Sequence, residues 1–125
     1  MSVLDNVKNI KVMPEEHLTD EMSRRMIVGK NHMLTIWKMK KGAHSSAHKH
    51  PEEQIFWILS GIIEFEIDGK RKRLQSGDSG VIPGNVTHEA WVIEDVEMAN
   101  IFSPVRNDYL TQGALGYMKE QGTNI

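Results

Sequence analysis

Six histidines and no cysteine set the chemistry open to this 125-residue chain. Without thiols there are no disulfides, thiolate metal sites or thiol nucleophiles, so reactive groups must come from His, Asp, Glu, Asn, Gln or Arg. Two histidines stand two apart in Ala47-His48-Lys49-His50. On a strand, residues two apart project from one face, so both imidazoles can reach a single ion. Gln54 keeps that parity, and its amide oxygen is a weak but legitimate ligand. His88 follows a turn stiffened by proline, Pro83-Gly84-Asn85, and supplies a third imidazole. Three neutral nitrogens and one neutral oxygen leave positions open for water or substrate, as catalytic rather than structural metal sites do. Glu52 shares the parity of His50 and is a rival ligand, although Pro51 breaks the strand beside it. All three histidines must be neutral to bind, so metal affinity is expected to fall as pH drops through about 6.5. His17, His32 and His44 lie outside the pattern and read as solvated or structural.

Strands have to carry these donors. From about Met22 onward, short apolar runs are punctuated by glycine or proline at the spacing of an all-β sandwich or barrel. Breaks at Gly29, Gly42, Ser60-Gly61, Asp68-Gly69, Ser76-Gly77-Asp78, Pro83-Gly84-Asn85 and Ser103-Pro104 leave room for about eight strands. Ile63, Phe65 and Ile67 alternate with Glu64, Glu66 and Asp68, giving one dry and one wet face before an Asp68-Gly69 hairpin turn. The run Ile55-Phe56-Trp57-Ile58-Leu59 is apolar on both faces, which predicts cover by the core on one side and by another sheet or a second subunit on the other. A homodimer is therefore expected, with Trp57 and Trp91 as outward packing residues. Leu18, Met22 and Met26 fit a short helix or an irregular lead-in; a strand is expected near Arg24 to Val28. The tail from Tyr109 reads as a frayed helix or mobile arm.

The motif spacing resembles that of the cupins. Their first motif runs Gly, five residues, His-x-His, three or four residues, Glu, six residues, Gly; here it is Gly42, His48, His50, Gln54 and Gly61. The second motif appears as Gly77, Pro83, Asn85 and His88, with Asn85 in place of an internal glycine and Val92 where an asparagine often follows the histidine. The resemblance implies an all-β, single-domain jelly-roll barrel (double-stranded β-helix) over residues 1–125, with its core at about 24–108, an irregular lead-in and a C-terminal tail. Gln54 replaces the usual glutamate and removes a negative charge. Hard Mn2+ then loses ground to Ni2+, Zn2+ or Fe2+, with Cu2+ also admissible.

Further along, Val96, Met98, Asn100 and Phe102 share a strand face. An inward Asn100 must either bond to core backbone or point into a ligand cavity. The segment Asn100-Ile-Phe102-Ser-Pro104-Val-Arg106-Asn-Asp108 resembles the Asp-x-Phe-Ser-Pro-x-Arg-x-Asp stretch of KdgF-type cupins, which also use Gln as fourth ligand and convert 4,5-unsaturated uronates to linear keto sugars. By that resemblance Arg106 would bind a substrate carboxylate, Phe102 would pack on the sugar, and Asn100 would stand where an acid/base aspartate belongs. An amide does not exchange protons as a tuned aspartate does, so Asn100 implies a different reaction, another proton carrier or no catalysis. Read without the resemblance, Arg106 fits a surface ion pair with Asp108 equally well.

The expectation is a metal-dependent isomerase or tautomerase acting on a small sugar acid or keto acid. An Fe2+ dioxygenase and a non-catalytic sensor are the alternatives. The partner is expected to be a carboxylate-bearing small molecule. A net charge of -2 gives no case for nucleic acid, and no apolar run is long enough for a membrane span or a signal-peptide core. Cytoplasmic localisation is expected.

Overall fold

The computed structural model describes residues 2–111. Two short 3-10 turns, Val3–Asn6 and Ile10–Val12, lead into eight strands among the described residues: β1 Glu16–His17, β2 Met22–Val28, β3 Met33–Met39, β4 His44–His48, β5 Glu53–Ile67, β6 Lys70–Gln75, β7 Ser79–Ile82 and β8 His88–Ser103. Helix α1, Asn107–Thr111, follows. The tail beyond it lies outside the described residues.

The two longest strands each serve two leaves of one antiparallel sheet. In the first leaf, residues 53–58 of β5 pair with β7 and with 98–103 of β8, and β3, β2 and β1 continue the leaf outward. In the second, residues 62–67 of β5 pair with β6 and with 88–94 of β8, whose other edge takes β4. The register slips between Ile58 and Ile63, where β5 bends from one leaf into the other. Gly61 occupies that bend at φ 88°, and a Cβ there would lie 1.9 Å from the Asp95 carbonyl oxygen. Only glycine tolerates both the left-handed backbone and that approach.

This corrects one expectation. Ser60-Gly61 does not end a strand; it kinks one. The break read at Pro51 does separate β4 from β5, and from Met22 onward the described residues hold seven strands where about eight were expected, β1 lying upstream. The Asp68-Gly69 hairpin is as read, with both residues at positive φ, as a primed turn requires.

Alternation then fills the space between the leaves. Met33, Trp37 and Met39 of β3, Phe56, Ile58, Ile63 and Phe65 of β5, and Val92, Val96, Met98 and Phe102 of β8 form the core. The same inward parity buries polar side chains on the first leaf: Arg24, Thr35, Gln54 and Asn100. Outward parity leaves Ile55 and Trp57 exposed, Trp57 at 53%. Among the described residues the run Ile55–Leu59 is thus covered on its inner face, and no second sheet of theirs lies over its outer face.

Candidate functional site

Three histidines meet where the second leaf opens. His48 ends β4 and is register partner to His88, the first residue of β8. His50 follows in the turn before β5, and the loop 83–85 pins that turn: the Asn85 N–H donates to the His50 carbonyl at 2.7 Å. A Cβ at Gly84 would come within 2.3 Å of the Pro51 carbonyl oxygen. Asn85 itself sits at φ 64°, a left-handed conformation that asparagine tolerates better than most residues, so it fills the glycine position without loss of the turn.

The potential ligand atoms of His48, His50 and His88 all lie within 4.8 Å of one another. An ion at ~2.0–2.1 Å from each nitrogen needs adjustments of under about an ångström. Each imidazole is held from behind. Nδ1 of His48 donates to the Ser46 carbonyl at 2.7 Å, Nδ1 of His50 to the Glu52 carbonyl at 2.9 Å, and Nδ1 of His88 to the Val86 carbonyl at 2.9 Å. A carbonyl only accepts, so all three protons sit on Nδ1 and each Nε2 carries the ring's lone pair, the form in which an imidazole ligates an ion.

Burial keeps the rings neutral. For His48, burial first, then the charges of His88 and Arg106, lower the pKa from 6.5 to about 4, against a smaller upward pull from the Ser46 carbonyl. For His50, burial first, then Arg106, His88 and His48, lower it to about 3. Burial also lowers His88, with the Val86 carbonyl opposing. The expectation that protons compete with metal from about pH 6.5 is therefore corrected: in the folded chain His48 and His50 protonate only near 4 and 3.

Gln54, buried on the first leaf, completes the group. Its Oε1 lies 3.2 Å from Nε2 of His50, and its Nε2 donates to Oδ1 of Asn100 at 3.1 Å. With the His50 proton on Nδ1, two lone pairs face each other across that 3.2 Å, an arrangement that a cation between or beside them would relieve. The donor set therefore fits a divalent ion on the evidence of its own geometry. Asn100 settles its alternative in favour of the cavity, since it bonds the Gln54 side chain and not core backbone.

Glu52, the rival ligand, lies on the other side of His50: its Oε1 is 3.7 Å from Nδ1, not Nε2, and 3.5 Å from Nε of Arg106. It is absent from the histidine group that could hold an ion. Arg106 is not a surface residue; it is 1% exposed. The pair with Asp108 exists all the same, two-pronged, at 3.1 Å from Nε and 2.7 Å from Nη2. Phe102 meets the His50 ring edge-on with centroids 5.5 Å apart, and the Arg106 guanidinium lies 5.0 Å from its centroid.

One cavity collects these groups. His48, Gln54, His88, Asn100, Phe102 and Arg106 all line it, with Trp37, Met98 and Tyr109 adding apolar wall. His44 stays outside, stacked on Trp91 and 2.6 Å from a Glu89 carboxylate oxygen; His17 and His32 are exposed. Sequence reasoning missed Tyr109, set aside as tail, and Arg24, whose inward parity with Met22 and Met26 on β2 was the available signal.

This bent two-leaf barrel with its histidine triad is a cupin: the Cupin domain model matches residues 35–102, and the chain belongs to that family. Among characterised relatives it is similar to the pectin degradation protein KdgF of Dickeya dadantii, 30% identical over 100 residues that span 78% of this chain and 91% of that protein. Among solved structures it is similar to KdgF from Halomonas sp., at 28% identity and TM-score 0.72, covering 76% of this chain and 89% of that one. It is also similar to an RmlC-like cupin from Shewanella frigidimarina, at 26% identity and TM-score 0.78, covering 82% and 93%. Among the described residues no helix is long and apolar enough to cross a membrane.

Proposed function

We propose that this cupin is a metal-dependent isomerase of small sugar acids, ketonising unsaturated uronates as the KdgF resemblance implies. The observation that carries the reading is the convergence of the neutral triad His48, His50 and His88 with the Gln54 oxygen beside a cavity that His48, His88, Gln54 and Arg106 line. A divalent ion on those four donors, Ni2+, Zn2+ or Fe2+ by their neutrality, supplies Lewis acidity toward a carbonyl or enol oxygen.

The side chains divide the remaining work. Asn100 fixes which end of the Gln54 amide faces the histidines, a positioning role that an amide performs as well as a carboxylate. Phe102 offers an apolar face to the sugar ring. Arg106, braced by Asp108 and Glu52, places positive charge at the wall where an acid group would lie. The conversion is an isomerisation with no net change: the C1–O5 ring bond breaks as the C1 hydroxyl becomes an aldehyde, and its proton passes by way of the C5 enol oxygen to C4 as C5 becomes a ketone. These residues therefore need only hold the acid in one orientation while solvent exchanges that proton.

The test is to incubate zinc- or nickel-loaded protein with a 4,5-unsaturated uronate and follow loss of the enol absorbance. A rate above buffer that EDTA abolishes supports the reading, and no rate above buffer removes this substrate class. Asn100 favours one second reading, a cupin that binds the same acid without turning it over. Saturable binding with no absorbance change would establish it.

The chain also reads as half of a homodimer. Ile27, Leu34, Ile101, Ile55 and Val81 are successive register partners across β2, β3, β8, β5 and β7 on the outer face of the first leaf. All but Leu34 are exposed, Val81 at 53%. Such an unbroken apolar row fits a self-complementary two-fold contact.

A further inference from the structure

Arg24 is a buried cation that lies outside the metal motifs. It faces inward from β2, beside its register partner Trp37, and is 1% exposed. Its Nε donates to Glu16 at 2.6 Å, toward the surface side of the pair. Nη1 and Nη2 have no acceptor among the described residues. The guanidinium lies 3.8 Å from the Tyr109 ring centroid and 5.3 Å from that of Trp37, and both rings line the cavity. Stacking on π faces offsets part of the cost of burying the charge but satisfies no N–H.

Arg106 touches the same tyrosine, its guanidinium 4.3 Å from the ring centroid. Its Nε–Nη2 edge is already engaged by Asp108. Arg24 lies behind the Trp37 and Tyr109 rings of the cavity wall with its end-on Nη1–Nη2 fork unpaired, the geometry that matches the two oxygens of a carboxylate.

We propose that Arg24 is the carboxylate-recognising residue of the cavity, its Nη pair taking both oxygens of a small organic acid as the Tyr109 ring, carried on short α1, moves off its face. The proposal rests on the reading of this cavity as a site for a small acid. It adds Arg24 to the positive charge that Arg106 places at the cavity wall and makes Tyr109 the residue displaced on binding.

D-galacturonate serves as the probe and D-galactose as its uncharged counterpart, titrated calorimetrically into zinc-loaded protein. Wild type should bind galacturonate at least about tenfold more tightly than galactose, and R24Q and R24K should each lose at least about tenfold toward galacturonate, the loss of a charge-assisted pair. Zinc affinity and galactose binding should stay within about twofold of wild type, because neither uses the fork. R24K matters because it keeps the charge and loses the geometry. A measurement on the wild type covers the case in which a variant does not fold: in protein labelled with 15N-arginine, the guanidinium resonance that broadens or shifts on galacturonate addition should be that of the arginine between Tyr109 and Trp37, which is Arg24, and not that of Arg106, which lies over Tyr109 and Phe102. Galacturonate binding unchanged in R24Q and R24K, an unmoved Arg24 resonance, or no binding by the wild type would each overturn the proposal. Failure of the wild type to bind zinc would instead overturn the reading of the site beneath it.

Discussion

At the scale of the residue, the histidine triad derives its readiness from protons placed elsewhere. Each Nδ1 is committed to a backbone carbonyl two residues away, so the rings need no reorientation to accept an ion. His50→Ala should therefore cost more metal affinity than the ~10–100-fold typical of losing an outer partner, whereas His44→Ala, outside the cavity, should leave it unchanged. Competition against a chromogenic chelator measures both. Asn100→Leu belongs to the intermediate case: it frees the Gln54 amide to flip, and should weaken metal binding by about tenfold without unfolding the chain. The same buried rings make the metal-free protein acid-sensitive. Unfolded histidines protonate near 6.5 while folded His48 and His50 resist until about 4 and 3, so the unfolded state binds more protons between those values. Stability is intact above 6.5 and falls as pH drops through that window, by up to about 1.4 kcal/mol per pH unit for each ring. Urea titrations in EDTA at pH 7.5, 6 and 5 should show the midpoint falling, and excess zinc should restore it.

At the scale of the element, what was legible followed from parity. Asn100 with Phe102 could be placed because a strand alternates strictly; His48, His50 and Gln54 were grouped by the same rule, but β4 ends at His48, His50 lies in the turn and Gln54 stands on β5, so it is the turn pinned by Asn85 that brings them together. What was not legible was where alternation is interrupted. Gly61 reads like a strand end because glycine punctuates loops; here it serves a close passage beneath the Asp95 carbonyl that only the three-dimensional crossing creates. Arg106 was ambiguous for a related reason: sequence shows its neighbour Asp108 but not that the pair is roofed by Phe102 and Tyr109. The bend has a direct test. Gly61→Ala should destabilise by at least about 2 kcal/mol, through both the positive φ and the clash with Asp95, and lower the thermal midpoint by several degrees. Gly69→Ala shares the positive φ but meets nothing within 4 Å, so it should cost visibly less.

At the scale of the whole molecule, the first leaf carries two surfaces with opposite demands. Its inner face concentrates buried polar groups around the cavity, and its outer face carries the apolar row from Ile27 to Val81. Trp57→Glu, placed among that row's exposed neighbours, should convert a dimer to a monomer in sedimentation velocity while leaving zinc affinity within about twofold, since the two faces share no side chains. The strands β5 and β8 give the two leaves a mechanical relation as well. They are joined like the covers of a book, with the Gly61–Asp95 crossing as the spine. The donors stand at the open edge, His48 and His88 on one cover and Gln54 on the other. An ion bound there acts as a clasp. Its signature would be kinetic: slower amide hydrogen exchange in β4 and β7 together, although those strands do not pair with each other, because opening either cover requires releasing the same ion.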